Sequence, residues 1–393
     1  MKITKGTLLV AFAAALPLSV FVTDIFIIFI AIAWLIEGKF NQKWQQLKAS
    51  RWMLSLIFLF LLYAVGMLWG ANNYGLIWLL QRTALILFIP ILYTAGFSDK
   101  QLKQSVIAFL SSVTFSAIIA LLINLGWIKH LFKYSSLFTK NWSVSAFMAY
   151  TDHNILMALS ILIGLILILR IPNKTNRKYI VAVSVIICAM SLFTEKGRAG
   201  QLAFLISTGL FSIVLLRQKK QLLLFSFLFI VSIPLISYYS SNTFNKRINT
   251  TISELKQLDR TNTNSLNTRY YLSVYTFEKI KEKPIVGYGT GNFVSEFSAI
   301  SPHANQILND VHKTPHNNYL FVMFELGILG LSVFLSVFYF QIMEYVRKPI
   351  GKIRIIFPIV FMSIMLFDSY FYNHNPAVLY AYLSVVFARY SFR

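Results

Sequence analysis

Apolar stretches of about 20 residues recur along almost the whole sequence, and few charges interrupt them. A run of that length can cross the hydrocarbon core of a membrane as a helix, whereas a soluble helix needs only one apolar face. Charged residues make up 13% of the 393 residues, against about 25% in an ordinary soluble domain. These features exclude a soluble, fibrous or disordered protein, and we predict an all-α, polytopic membrane protein.

Twelve of these runs are bounded by polar or charged clusters, so we predict about 12 transmembrane helices. They divide the chain into residues 1–237 with nine helices, a long loop containing helices at 238–316, and three more helices in 317–393. The second run is short for a full crossing, and a tilted or re-entrant element is the alternative there. The predicted spans are 7–22, 24–36, 53–69, 75–95, 104–126, 153–170, 179–194, 201–216, 221–237, 317–342, 354–371 and 376–389.

The lysines and arginines indicate how these spans are oriented. If the N-terminus is cytoplasmic, most of the 36 Lys and Arg residues fall in inside loops, which is the positive-inside bias. The excess of basic over acidic residues is therefore explained by topology, and we predict no nucleic-acid partner. The same assignment puts the long loop and all six histidines on the outer face, where we expect any chemistry.

The long loop has its own internal pattern. Its mostly polar run Asn249–Thr268 predicts an irregular loop, and a helix is predicted over about 266–282, ending before Pro284. The glycines of residues 287–293 do not match the spacing of dinucleotide-binding or phosphate-binding loops, so this piece is predicted to be a turn.

Two arginines on the outer side are candidates for binding an anion. Arg198 lies at the outer mouth of the eighth span, beside Gly197 and Gly200, where positive charge is otherwise sparse and glycine permits close backbone approach. An interfacial arginine that reaches toward water is the alternative. Arg269 begins the amphipathic outer helix, and on its own it would be an ordinary solvated charge.

His316 stands at the start of the tenth span. Histidine titrates near neutrality and can act as a base, although Asn317 or Asn318 could equally mark an ordinary helix start. His312 and His316 are four residues apart, as in a helical metal-binding pair. Because Pro315 interrupts a regular helix and no third ligand is evident, we predict no metal site.

Arg82 lies roughly two turns inside the fourth span. A charge at that depth is costly, so Arg82 should face a cavity or a partner and is a functional candidate. Asp368 and Glu325 are the buried carboxylates with which it could pair. The outer acids form no Asp-x-Asp pair or tight cluster, which disfavours a divalent-metal site for a sugar diphosphate.

Three ordered motifs flank the long loop. Together they resemble the O-antigen ligase and polymerase family, as does the late position of the loop, whereas the first 190 residues agree only in hydropathy. The motifs are Arg198-x-x-x-Leu202, then Arg269 followed by Lys283-Pro284-Ile285-Val286-Gly287-Tyr288-Gly289, and then His316-Asn317-Asn318-Tyr319-Leu320 with Glu325-Leu326-Gly327.

This resemblance implies a glycosyltransferase of the bacterial inner membrane that takes a glycan from undecaprenyl diphosphate at a periplasmic site, without metal or other cofactor. Arg198 and Arg269 correspond to the diphosphate-binding arginines of the family and His316 to its proposed base. We further expect Asn317 and Tyr319 to contact substrate, and Arg82 to be a third cation in the same cavity. Membrane lipids surround such a protein.

The acceptor is the open question at this stage. The leading expectation is a ligase that moves the glycan onto the lipid A core. A polymerase with a lipid-linked acceptor and a protein O-oligosaccharyltransferase are the alternatives, and shared motifs cannot separate them. A membrane transporter is the alternative from another class, although the late loop and the lack of symmetry between halves argue against it.

Overall fold

The computed structural model describes residues 4–70, 75–128, 145–173, 175–256, 265–298 and 314–392. Within these ranges the chain is helical and has no β-strand, which confirms the all-α class. A π-helical turn, Leu79–Thr83, joins α5 to α6. The helices are α1 (Lys5–Ala15), α2 (Val20–Glu37), α3 (Phe40–Lys48), α4 (Arg51–Gly66), α5 (Gly75–Trp78), α6 (Ala84–Thr94), α7 (Asp99–Asn124), α8 (Tyr150–Arg170), α9 (Asn176–Thr194), α10 (Arg198–Leu216), α11 (Lys220–Ser240), α12 (Asn242–Lys256), α13 (Ser265–Glu282), α14 (Phe293–Ser298), α15 (Asn318–Val346), α16 (Gly351–Arg354), α17 (Ile356–Ile364) and α18 (His374–Arg389).

Eight helical segments in the described part of the chain are long and apolar enough to cross a membrane. They are α2, Gly75–Thr94, α7, α8, α9, α10, α11 and α15, and the count rises to nine if α3 and α4, which are bent by 103°, form one span. The second apolar run is therefore not short: α2 starts at Val20, capped by Ser19, and has 18 residues. A multi-pass membrane protein is supported.

The predicted count of 12 spans is not confirmed. The helices α1, α17 and α18 have 11, 9 and 16 residues, and the two shorter ones rise only about 14 to 17 Å, well below the roughly 30 Å of a hydrocarbon core. Hydropathy alone does not fix the count, because an apolar run can be buried in protein instead of facing lipid. The helix α18 shows this, since its residues from Pro376 to Ala388 are all buried.

The core forms around α18 and the long helices near it. The helix α15 packs along α4, α8 packs against α9 and α10, and α1 packs along α7. Buried tyrosines of α18 find polar partners on these neighbours: Tyr380 donates to Gln341 at 2.7 Å, and Tyr382 donates to Ser105 at 3.1 Å. A buried phenol needs such a partner, so these bonds fix how α18 sits in the bundle.

The predicted turn at residues 287–293 lies against a break in α15. Gly327 has a φ of 64° inside that helix, and the break leaves backbone carbonyls without helical donors. The N–H groups of Tyr288 and Gly289 donate to the carbonyls of Phe324 and Glu325, each at 2.8 Å. The turn and the broken helix therefore satisfy each other's backbone.

The predicted loop Asn249–Thr268 is wrong in its first part, because α12 is helical as far as Lys256. Residues 257–264 lie outside the described residues. The hydroxyls of Thr250 and Thr251 donate to backbone carbonyls one turn earlier, at 2.8 and 2.7 Å, so these polar residues bond within the helix instead of breaking it. The helix also buries Phe244, an apolar anchor that lies five residues before the polar run begins.

Candidate active site

Asp368 connects two of the residues that the motifs singled out. It lies between α17 and α18, where its Oδ1 is 2.9 Å from Nδ1 of His316 and its Oδ2 is 3.5 Å from Nη2 of Arg269. Arg269 comes from α13 and His316 from the residues just before α15. The structure thus brings together one predicted arginine and the predicted base, through a carboxylate to which the sequence assigned no such role.

The charges around Asp368 keep it ionised. Burial raises the pKa of this carboxyl, but His316, Arg269 and the N–H of Ser369 outweigh it and lower the pKa to about 2. The stabilisation that Asp368 gains from these partners is present at neutral pH and is lost only as the pH falls through about 2. Because a carboxylate can only accept, Nδ1 of His316 is the donor of their hydrogen bond, and Nε2 then carries the ring's basic lone pair.

The backbone around His316 aims its ring at Asp368. His316 has a φ of 53°, a left-handed conformation that costs a non-glycine residue roughly 1–3 kcal/mol. The next residue, Asn317, caps α15, because its Oδ1 accepts the N–H groups of Tyr319 and Leu320 at 2.9 and 3.1 Å. His316 is therefore set immediately before the cap, where the chain turns into the helix.

Asn317 and Asn318 also hold the segment that carries Asp368. Nδ2 of Asn317 donates to the carbonyl of Leu366 at 3.2 Å, and Oδ1 of Asn318 accepts from the N–H of Phe371 at 3.2 Å. Asn318 is fully buried. These bonds fix Asp368 relative to His316 on both sides, which is the structural work of the two asparagines.

Arg198 begins α10 and faces α12. Its Nη1 donates to Thr251 at 2.9 Å and is 3.8 Å from Oε2 of Glu254. The latter oxygen is buried and makes no hydrogen bond within the described part of the chain. Arg198 and Arg269 lie close enough for their charges to repel each other, so the three residues expected to be central share one region.

Arg247 is a further cation of this region, and the sequence analysis missed it. It stands four residues before Thr251 and seven before Glu254, on the same face of α12. Its charge acts on Arg198 together with that of Arg269, and its Nε is buried without a hydrogen-bond partner among the described residues. The i, i+4, i+7 spacing would have revealed Arg247 if this run had been predicted as a helix.

The other predicted substrate contacts are engaged within the protein. Nη1 of Arg82 donates to the carbonyl of Tyr372 at 3.3 Å, four residues along the chain from Asp368. The hydroxyl of Tyr319 donates to the carbonyl of Met362 at 2.7 Å. Arg82 thus contacts the segment that holds Asp368. Substrate contact by Arg82, Asn317 and Tyr319 stays a prediction.

No group of three or more His, Cys, Asp or Glu side chains that could hold a metal ion occurs among the residues that the structure describes. His312 lies outside these residues, so the His312–His316 pair has no structural description. The region concentrates positive charge: Arg198 pairs with Glu254 and Arg269 with Asp368, and the charge of Arg247 acts on Arg198 as well. Such a surplus of guanidinium groups suits an anion with several oxygens, such as a phosphate.

Comparison with known proteins agrees with the motif resemblance. A family model described as O-antigen ligase matches residues 183–335, a range that contains Arg198, Arg247, Arg269 and His316. Asp368 lies beyond the matched range. No curated protein matches the chain.

Proposed function

We propose that this chain, whose residues 183–335 match a family model described as O-antigen ligase, moves a polysaccharide from undecaprenyl diphosphate onto a lipid A–core acceptor. The family supports an enzyme that transfers glycans and acts on lipid-linked substrates in a membrane. The observation that carries the finer proposal is the Asp368 bridge between His316 and Arg269, because it sets a base beside a phosphate-binding cation.

The arginines bind the diphosphate of the donor. Arg198, Arg247 and Arg269 come from three different helices and converge on one region. Their mutual repulsion is relieved when an anion lies between them, so a diphosphate is held by charge that already surrounds it. As the glycosyl bond breaks, negative charge grows on the leaving diphosphate, and the guanidinium groups stabilise it in the role that a divalent cation has elsewhere.

His316 removes the proton from the acceptor. With Nδ1 donating to Asp368, Nε2 accepts the proton of the acceptor hydroxyl while the oxygen attacks the anomeric carbon. The bond from that carbon to the diphosphate oxygen breaks, and the configuration inverts because attack and departure occur on opposite sides. Asp368 stays ionised and stabilises the imidazolium that forms.

The active site faces the periplasm of the bacterial inner membrane in this proposal. The spans α9 and α11 end, and α10 and α15 begin, at the end of the bundle that carries Arg198 and His316. The opposite ends of these spans, together with the end of α8, carry a basic series: Arg170, Arg177, Arg217, Lys219, Lys220, Arg347 and Lys348. The positive-inside rule assigns that basic end to the cytoplasm.

The direct test is transfer by purified protein in vesicles, with a defined glycan on undecaprenyl diphosphate as donor and lipid A core as acceptor. The expected product is glycan joined to the core in the presence of a chelator. Loss of transfer in His316→Ala at unchanged expression supports the assigned base, whereas full turnover by this variant contradicts it. Activity that depends on added metal contradicts the arginine mechanism.

The acceptor is tested separately in cells that lack the gene. A ligase defect leaves lipid A core without any repeat unit, and a polymerase defect leaves core with single repeats. The second pattern, seen on a lipopolysaccharide gel, would replace the ligase by the polymerase. Movement of substrate across vesicles without any joined product would favour a transporter.

A further inference from the structure

An apolar groove of about 700 Å³ lies between α9, α10 and α11. We call it the lateral groove. Its walls include Val185, Phe211, Phe229 and Ile233, and no charged residue of the described chain lines it. A soluble polar ligand would find few hydrogen-bond partners there, whereas a hydrocarbon chain would fit the lining.

The lateral groove is accessible from the side of the bundle. Phe229 and Met190 line it and are 69% and 56% exposed. Ile230 is the only buried residue of α11, so this span is loosely packed on its neighbours. Because α9, α10 and α11 are all candidate membrane spans, the exposed side of the groove faces lipid, and a lipid tail can enter without crossing water.

Four hydroxyl side chains, Thr194, Ser237, Ser240 and Ser241, line the end of the lateral groove that lies at the active-site end of the spans. Three more, Thr208, Ser212 and Ser226, lie along the rest of the groove, so what distinguishes the first end is the arginine cluster beside it.

The end of the lateral groove nearest the active site adjoins the arginine cluster. The ring of Phe193, which lines the lateral groove, contacts that of Phe244 on α12 at a centroid distance of 5.8 Å. Arg247 follows Phe244 by three residues. On α10, Arg198 precedes the groove residue Phe204 by six residues, a rise of about 9 Å. A tail in the groove therefore has two guanidinium groups within reach of its head.

We propose that the lateral groove binds the polyprenyl tail of the lipid diphosphate donor, with the diphosphate at Arg198 and Arg247. This inference rests on the proposed function and specifies the donor's path: sideways from the bilayer, between α11 and the α9–α10 pair. The complementarity of an apolar groove and a cationic end favours a lipid with an anionic head over a neutral lipid. A phospholipid acyl chain is the competing occupant that the experiment must separate.

Photo-crosslinking tests this placement without requiring turnover. A photoreactive phenylalanine analogue replaces Phe229, which lines the lateral groove, or Phe225, which is 66% exposed on the same helix but does not line it. The protein is reconstituted in phosphatidylethanolamine–phosphatidylglycerol vesicles with radiolabelled undecaprenyl diphosphate. We expect labelling at position 229 to exceed that at 225 by about tenfold and to be competed by unlabelled undecaprenyl diphosphate.

Equal labelling at the two positions, or competition by added phosphatidylglycerol as strong as by undecaprenyl diphosphate, would overturn the placement. The result is independent of transfer activity. If label enters position 229 specifically while the purified protein transfers no glycan, the groove assignment stands and the ligase proposal fails. If transfer proceeds but label is not specific, the ligase proposal stands and the groove assignment fails.

A groove-filling variant provides a second measurement. Ala189→Phe places a ring in the lateral groove, whereas Val183→Phe on the same helix adds one at an exposed position outside it. We expect Ala189→Phe to raise KM for the undecaprenyl donor by about tenfold, a loss of about 1.4 kcal/mol of binding. KM for a donor with a short prenyl chain should change little. An equal rise for both donors, or no rise for either, contradicts tail binding in the groove.

Discussion

One carboxylate holds the proposed base, His316, and the proposed diphosphate-binding Arg269 relative to each other. Asp368 accepts from His316 through one oxygen and pairs with Arg269 through the other. It therefore sets the tautomer of the imidazole and the position of a guanidinium at the same time. A substitution that keeps its size but removes its charge should affect the chemical step more than donor binding.

Asp368→Asn should lower kcat by about 10²-fold or more, because the amide cannot stabilise the imidazolium that forms on proton transfer. KM for the lipid donor should change far less, since Arg198 and Arg247 do not depend on Asp368. Single-turnover transfer by purified protein measures the rate. Asp99→Asn is the matched control and should leave kcat unchanged, because Asp99 accepts from Ser391 just beyond the end of α18 opposite to Asp368.

A large rise in KM at unchanged kcat would show that Asp368 serves donor binding instead. Proper folding of the variant is checked by its elution and thermal unfolding in detergent. A variant that is inactive but still binds inorganic diphosphate is folded and has lost catalysis, whereas a misfolded variant would lose this binding too.

Arg247→Gln should weaken donor binding. Losing one charge-assisted bond to a phosphate costs about 1.5–3 kcal/mol, which corresponds to a rise in KM of roughly tenfold to a hundredfold. Lys246→Gln is the control, because Lys246 is an exposed neighbour on the same helix and its substitution also removes one positive charge. Binding of inorganic diphosphate, measured by titration calorimetry, should fall for the first variant only. Equal affinities in the two variants would remove Arg247 from the site.

The residue chemistry could be predicted from the sequence only in part. Arg198, Arg269 and His316 stand in motifs and were identified by them. The partnership of His316 and Asp368 joins positions 52 residues apart, and no local spacing reports such a contact. Arg247 was missed for a different reason: its helix was predicted as a loop, and without a helix there is no face on which to count.

At the scale of elements, the break in α15 is the feature on which the turn at 287–293 depends. A Cβ on Gly327 would lie 2.1 Å from the backbone oxygen of Ile285, and the φ of 64° strains any other residue. Inside the turn, the N–H of Gly291 donates to Oε1 of Glu325 at 2.8 Å. Glu325 therefore serves to hold this turn, a structural role that its position in a motif did not reveal.

Gly327→Ala should destabilise the protein by at least about 1–3 kcal/mol, the cost of a strained backbone before the clash with Ile285 is added. Gly209→Ala is the control in a regular part of α10, where a Cβ would meet only Phe227 at 3.6 Å. It should be neutral or slightly stabilising, because alanine favours a helix interior over glycine by about 1 kcal/mol. Thermal unfolding in detergent compares them, and equal midpoints would contradict the assigned strain.

The helices could be predicted from the sequence where they coincide with apolar runs. The helix from Ser265 to Glu282 and the turn after Pro284 follow from the pattern of residues. The loop prediction failed at α12, because Thr and Ser hydroxyls that bond within a helix look the same in sequence as those that end one. The predicted number of spans is not confirmed, since burial in protein and burial in lipid leave the same hydropathy.

At the scale of the whole molecule, the orientation in the membrane determines which substrates can reach the site. A site at the periplasmic end meets lipid-linked glycans and no cytoplasmic nucleotide sugars. The argument for this orientation is the basic series at the opposite ends of the spans. The arginines at the site are explained by an anionic substrate, so they are not counted as loop charges that set the topology.

Cysteine accessibility tests this orientation, and the chain suits the method because Cys188 is its only cysteine and is buried. In a Cys188→Ser background, Glu278→Cys on α13 should react with a membrane-impermeant maleimide added to intact spheroplasts. Lys219→Cys, in the exposed turn between α10 and α11, should react only after the membrane is permeabilised. The two positions are both exposed, so a difference in labelling reports the side of the membrane and not burial.

Labelling of Lys219→Cys in intact spheroplasts with protection of Glu278→Cys would put Arg269 and His316 in the cytoplasm. The diphosphate donor would then have to be used before it crosses the membrane, and the periplasmic ligase would be refuted.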